Sequence, residues 1–187
     1  AFESAYIQNF TYGSAHPFEC INGSHFDRVI PNYFSPDDVT YSDRKDDYFL
    51  FIGRMIKRKG ICIADLVCRH LGKKLIIAGQ GAHVTPRGSL LPNDSPDFEL
   101  EPGTWEYVGF ADVEKRKKLM AHATAVFVPT EYLECFAGVH CESMLSGTPV
   151  ITTNFGVFPG TFPEGVCGFH CDTLDDFVVA AKKCSTL

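Results

Sequence analysis

The chain has 187 residues, 45% of them hydrophobic and 21% charged, which suits one compact soluble domain with a sizeable core. Its formal net charge of -6 argues against a protein whose main task is to hold nucleic acid, so any phosphate chemistry must be local. No apolar run approaches the length that spans a bilayer, and no secretory leader pattern opens the sequence.

Residues 1–46 show turn signals and no sustained period, and read as a linker segment preceding a domain at 47–187. Strands are predicted at 48–53 (YFLFIG), 73–79 (KKLIIAG), 105–110 (WEYVGF), 124–129 (TAVFVP) and 148–153 (TPVITT). Helices are predicted at 60–72, at 112–123 with Asp112 at the N-cap, within 136–147, and at 174–184. The polar stretch 82–104, rich in Pro, Gly, Asn and Asp, is longer than a usual connection and reads as an inserted or mobile loop. Strands alternating with helices imply a Rossmann-like, doubly wound α/β domain, with a mainly parallel sheet covered on both faces. Ligands of such sheets sit at the carboxyl ends of the strands.

Eight cysteines occur without a C-x-x-C pair, several inside apolar runs, and are read as reduced, mostly buried thiols of a cytoplasmic protein. Cys167 and Cys171, with His170 between them, form a weak metal pattern, and no metal is expected. His122 and His140 read as surface or packing residues, and His83 is the histidine nearest a candidate phosphate loop.

After the first strand, "GRMIKRKG" places Gly53, Arg54 and Lys59 in the loop that opens a helix, where cations and backbone amides can take a diphosphate. After the second, Gly79 and Gly81 allow a tight turn close to a ligand. Neither G-x-G-x-x-G nor G-x-x-x-x-G-K-[ST] is present. Further on, Glu134 and Glu142 flank "CFAGVHC". On one helix, eight positions at about 100° each would leave them roughly 80° apart. If the helix starts near Phe136 to Gly138, Glu134 lies before it and Glu142 about one turn in, so both can line one pocket and accept from the vicinal hydroxyls of a sugar or ribose. The alternative is a capping Glu134 and an ordinary exposed Glu142.

The pieces "FIGRMIKRKG", "LIIAGQG", "EYVGFAD", "AVFVPTEYLECFAG", "CESMLSGTPVITTNFG" and "GFHCDTLDDF" together resemble the C-terminal, donor-binding domain of retaining glycosyltransferases of the GT-B fold. The E-x7-E pattern with its trailing "SGTPVI" is the most specific of them. Cys135 stands where the family usually has proline and Ala137 where it has glycine. The resemblance implies that Arg54 and Lys59 bind the diphosphate of a UDP-sugar or GDP-sugar and neutralise the leaving group. It implies that Glu134 and the amides of Phe136, Ala137 and Gly138 hold the donor sugar, that Glu142 binds the ribose, and that Val108 to Phe110 face the base. It further implies metal-independent hexose transfer to a glycan or other hydroxyl acceptor. The acceptor would be held by an N-terminal domain, joined through a passage like "RVIPNYFSPDDV", without which the domain would be inactive. No cofactor, nucleic acid or membrane partner is implied. The alternatives are a GT-B-like nucleotide-sugar epimerase and a non-catalytic nucleotide-sugar-binding module.

Overall fold

The computed structural model describes residues 1–15, 26–94 and 96–185. Its elements in chain order are α1 (Ala5–Ala15), β1 (Tyr48–Ile52), α2 (Ile61–Leu71), β2 (Lys74–Ala78), β3 (Ala82–Val84), β4 (Leu90–Pro92) and β5 (Trp105–Tyr107). There follow α3 (Val113–His122), β6 (Ala125–Val128), α4 (Gly138–Leu145), β7 (Val150–Thr153), β8 (Gly168–Cys171) and α5 (Leu174–Cys184). Six strands form one parallel sheet in the order β5-β2-β1-β6-β7-β8, with Leu50 opposite Ile76 on one side and Val126 on the other. Counted along the sheet alone, this is the doubly wound order 3-2-1-4-5-6, whose strand sequence reverses between β1 and β6.

The strands read as continuous apolar runs because both faces are covered. Phe49 and Phe51 of β1, Leu75 and Ile77 of β2, and Phe127 of β6 point to the face where α2 and α5 pack through Val67, Cys68, Phe177 and Ala181. Tyr48 and Leu50, Ile76, and Val126 and Val128 point to the other face, against Met120 of α3 and Val139 of α4. The period of two within each strand thus sorts one apolar run into two cores.

Helix ends follow local chemistry. Asp112 caps α3 by accepting from the Lys115 amide, and Thr173 with Asp176 forms a reciprocal capping box at α5, whose observed span is the predicted 174–184. Four elements, α1, β3, β4 and β8, depart from the sequence reading. Residues 5–15 are helical although the segment shows no sustained period, β3 and β4 form an antiparallel hairpin inside the stretch read as a loop, and β8 completes the sheet at its edge. No helix among the described residues is long and apolar enough to cross a membrane.

Candidate functional site

The crevice lies where β1 and β6 part. The chain leaving β1 crosses by α2 on one face, and the chain leaving β6 crosses by α4 on the other, so the carboxyl ends of these neighbours diverge. Two backbone approaches fix the mouth. A Cβ on Gly60 would lie 1.9 Å from the Pro129 carbonyl oxygen, and one on Gly79 would lie 1.8 Å from that of Gly53. Both glycines adopt positive φ, 77° and 149°, so the loops after β1, β2 and β6 are drawn together only where no side chain intervenes.

A cavity of about 270 Å³ opens at this point, lined by Gly53, Lys59, Thr130, Glu134, Phe136, Ala137 and Gly138 among others. Lys59 Nζ lies 2.6 Å from Glu134 Oε2 and 4.8 Å from the centroid of the Tyr132 ring. Burial lowers the Lys59 pKa, and the bonds and charges of Glu134 and Tyr132 together outweigh it, so the net shift is upward. Because the folded pKa is raised, what the pair contributes to stability is fully present below the ordinary lysine value of 10.5 and is lost as pH rises through the shifted one. The pair is therefore intact at neutral pH. Thr130 is fully buried, and its hydroxyl has no hydrogen-bond partner among the described residues.

Helix α4 begins at the cavity wall without a side-chain cap. Its first amides lack intrahelical acceptors and carry the positive end of the helix dipole, a setting that suits an anion or a hydroxyl oxygen. The residue before it, Ala137, is the one non-glycine with positive φ among the described residues (φ 58°, ψ 66°). That conformation costs a residue with a Cβ about 1–2 kcal/mol, while glycine would lose about 0.5–1 kcal/mol through its freer unfolded state. Ala137→Gly is accordingly expected to stabilise the domain by roughly 0.5–1 kcal/mol, read as a melting temperature higher by about 1–4 °C in calorimetry. An unchanged or lower value would show that the backbone there is unstrained.

The preceding segment closes one side of the cavity. Glu3 and Asn32 line it, and Phe34 stacks on Phe136 with centroids 5.9 Å apart and planes 8° from parallel. The Phe34 ring also covers Gly138, where a Cβ would meet it at 2.8 Å.

Of the residues singled out in the sequence, Gly53, Lys59, Glu134, Phe136, Ala137 and Gly138 meet in this cavity, while Arg54, Gly79, Gly81, Val108, Phe110 and Glu142 are not part of its wall. Arg54 is exposed in the same loop. Of the two glutamates that the sequence reading allows in one pocket, Glu134 lines this cavity and Glu142 is not part of its wall. Glu142 lies one turn along α4, where the helical rotation turns it toward α3, and Arg116 Nη2 sits 3.0 Å from its Oε1. Burial pushes the Glu142 carboxyl up from its usual range, and Arg116 pulls it back.

In the turn expected to face a base, the Val108 amide donates to the Ile77 carbonyl, Lys115 Nζ donates to the Val108 carbonyl, and the Gly79 amide donates to the Gly109 carbonyl. Phe110 remains, 64% exposed, with its amide and carbonyl outside any backbone hydrogen bond among the described residues. His83 is exposed on the hairpin beside Asn93, and His140 is a core residue in contact with Phe136 and Phe158. The described cysteines are free thiols. Cys171 is buried in the α2/α5 core, while the neighbouring His170 stacks on Phe162 and meets Glu164, so the C-x-x-x-C pattern gathers no ligand set.

A second, larger cavity of about 680 Å³ lies at the amino ends of the strands, beside Asp46, Thr124 and Pro149. Its one lysine, Lys45, is consumed in three structural hydrogen bonds, to the carbonyls of Ser42 and Ala121 and to the Thr148 hydroxyl.

The family described as Glycosyl transferases group 1 matches residues 37–183, most of the chain. Among curated proteins, the glycogen synthase of Mycobacterium tuberculosis is 29% identical over 143 residues, covering 74% of this chain and 33% of that protein. The D-inositol 3-phosphate glycosyltransferase of Corynebacterium kroppenstedtii is 28% identical over 174 residues, covering 81% of this chain and 38% of the other. The chain thus spans little more than a third of the length of these relatives. Among solved structures, Anabaena HepE in complex with UDP-glucose superposes with a TM-score of 0.66 at 20% identity, over 84% of this chain and 47% of that one, a likeness of fold. With residues 37–183 matched by the family and a parallel six-stranded sheet of doubly wound order, the chain belongs to the glycosyl transferases group 1 family and folds as a Rossmann-like domain of the GT-B type.

Proposed function

We propose that the domain binds a nucleotide-sugar donor, and that it serves a retaining transferase that passes a hexose to a hydroxyl acceptor held by a second domain. The observation that carries this reading is the meeting, in one cavity at the sheet's switch point, of the Lys59 to Glu134 pair with the uncapped start of α4. Cleavage of an anomeric C–O bond leaves a dianionic nucleotide and an electron-poor sugar, so the useful protein groups are cations and amides placed where negative charge develops. Lys59, with exposed Arg54 in the same loop, supplies the cations, and α4 supplies the amides. Glu134 accepts from sugar hydroxyls while keeping Lys59 in place, and Glu142 accepts from the ribose diol. Lys59, Arg54 and the α4 amides are the groups that offset the charge of the leaving diphosphate, and with them the donor site needs no metal ion.

Calorimetric titration with UDP, GDP and ADP in the presence of EDTA, followed by the matching nucleotide sugars, tests the reading. One nucleotide is expected to bind saturably, and absence of binding by all three would overturn the proposal. Glu134→Ala should leave affinity for the bare nucleotide unchanged or higher, because Lys59 is then released to the phosphates. The same variant should erase the additional affinity that the sugar brings. Equal losses with both ligands would remove Glu134 from the sugar site.

A further inference from the structure

The run Lys-Arg-Lys-Lys at 115–118 on α3 presents four cations with different employment. Lys115 is fastened to the Val108 carbonyl, and Lys117 lies 3.6 Å from Glu114 Oε1. Arg116 crosses to α4 and pairs with Glu142 Oε1. The Glu142 side chain is 13% exposed, and no hydrogen bond among the described residues engages its second oxygen, Oε2. Asp112 fixes the origin of this contact, since its side chain caps α3 and its carbonyl accepts from the Arg116 amide.

We propose that Arg116 is a positioning residue for nucleotide recognition: it engages one oxygen of Glu142 and leaves the other directed to the vicinal hydroxyls of a ribose. The inference rests on the reading of Glu142 as the ribose ligand. An ionised carboxylate is a pure acceptor with two oxygens, whereas a neutral one carries a donor and offers less to two hydroxyl donors. Burial favours the neutral form of Glu142, and the guanidinium beside it opposes that preference. Arg116 also spares the long Glu142 side chain the ordering that ligand binding would otherwise require, which is the general advantage of preorganisation.

The test is calorimetric titration of the chain, and of Arg116→Ala, Arg116→Lys and Glu142→Ala, with whichever of UDP, GDP and ADP binds and with its 2′,3′-dideoxy counterpart. Wild type is expected to prefer the ribonucleotide by about tenfold or more, the scale of a charge-assisted hydrogen bond. Arg116→Ala should lose most of that preference while binding the dideoxy form as wild type does, and Arg116→Lys should recover much of it. A wild type that binds both forms alike overturns the reading of Glu142 and this inference with it. A wild type that discriminates, with Glu142→Ala blind to the hydroxyls and Arg116→Ala discriminating as well as wild type, overturns this inference alone. So does an Arg116→Ala that weakens both ligands equally, which would mark a purely structural contact.

Discussion

Lys59→Ala is expected to weaken nucleoside diphosphate binding by about 30-fold to 1,000-fold, corresponding to roughly 2–4 kcal/mol. Two losses combine. The cation proposed to face the diphosphate is lost, and the Glu134 carboxylate, 12% exposed in the same cavity, is left without its Lys59 partner and would repel an incoming anion. Isothermal titration at neutral pH reads the effect, with Lys59→Arg as the variant that keeps charge while changing reach. The double variant Lys59→Ala with Glu134→Ala should regain part of the lost nucleotide affinity, because the unpaired carboxylate is gone. A single variant that binds as wild type does would place the diphosphate elsewhere, with Arg54, Lys57 and Arg58 as the remaining cations of the loop.

Gly60→Ala is expected to act through the fold and to reach binding second. At φ 77°, an added Cβ meets the Pro129 carbonyl oxygen at 1.9 Å, and both partners are backbone, so no rotamer change relieves the contact. Left-handed strain of about 1–2 kcal/mol and overpacking of about 1–3 kcal/mol give a destabilisation of around 3 kcal/mol. For a domain of this size, that lowers the melting temperature by about 6–12 °C. Because Lys59 immediately precedes this glycine and α2 starts just after it, the folded fraction should also bind nucleotide more weakly. A melting temperature within about 2 °C of wild type would show that the loops after β1 and β6 are free to separate.

The parts of the fold legible in the sequence are those fixed by local pattern. The five predicted strands are apolar runs bounded by glycine, proline or polar residues, and α5 is framed by Thr173 and Asp176 at one end and by basic residues at the other. The hairpin at 82–92 escapes such reading because its strands are three residues each, too short for an alternation to register. Its order comes from the turn, where the Thr85 amide donates to Ser89 and the Gly88 amide to Thr85, and from the Leu90 to Leu100 bridge. Helix α1 has no sustained apolar period, and Phe2 just before it is bridged to Val29, a contact that no window of sequence contains.

The candidate site divides in the same way. Lys59, Glu134 and the start of α4 follow from the chain order of strand, loop and helix, and the resemblance adds their roles. Arg116 does not follow, because four adjacent cations are equivalent on paper and only the packing of α3 beside α4 singles one out. Thr130 and Tyr132 are likewise silent in sequence, one visible by a buried hydroxyl without a partner among the described residues and the other by its ring beneath Lys59. The left-handed Ala137 is not legible from its residue type, since a Cβ disfavours that region and only the structure shows its φ of 58°.

The stacked rings of Phe34 and Phe136 make the wall of the cavity a shared possession of two stretches of chain far apart in sequence. Thermodynamic reciprocity then applies. A ligand that draws Phe136, Ala137 and Gly138 inward favours one placement of residues 32–34, and any partner that holds residues 32–34 in that placement tightens the ligand by the same free energy. Any change of the cavity wall that disturbs the Phe34 to Phe136 contact is thereby linked to the placement of residues 32–34.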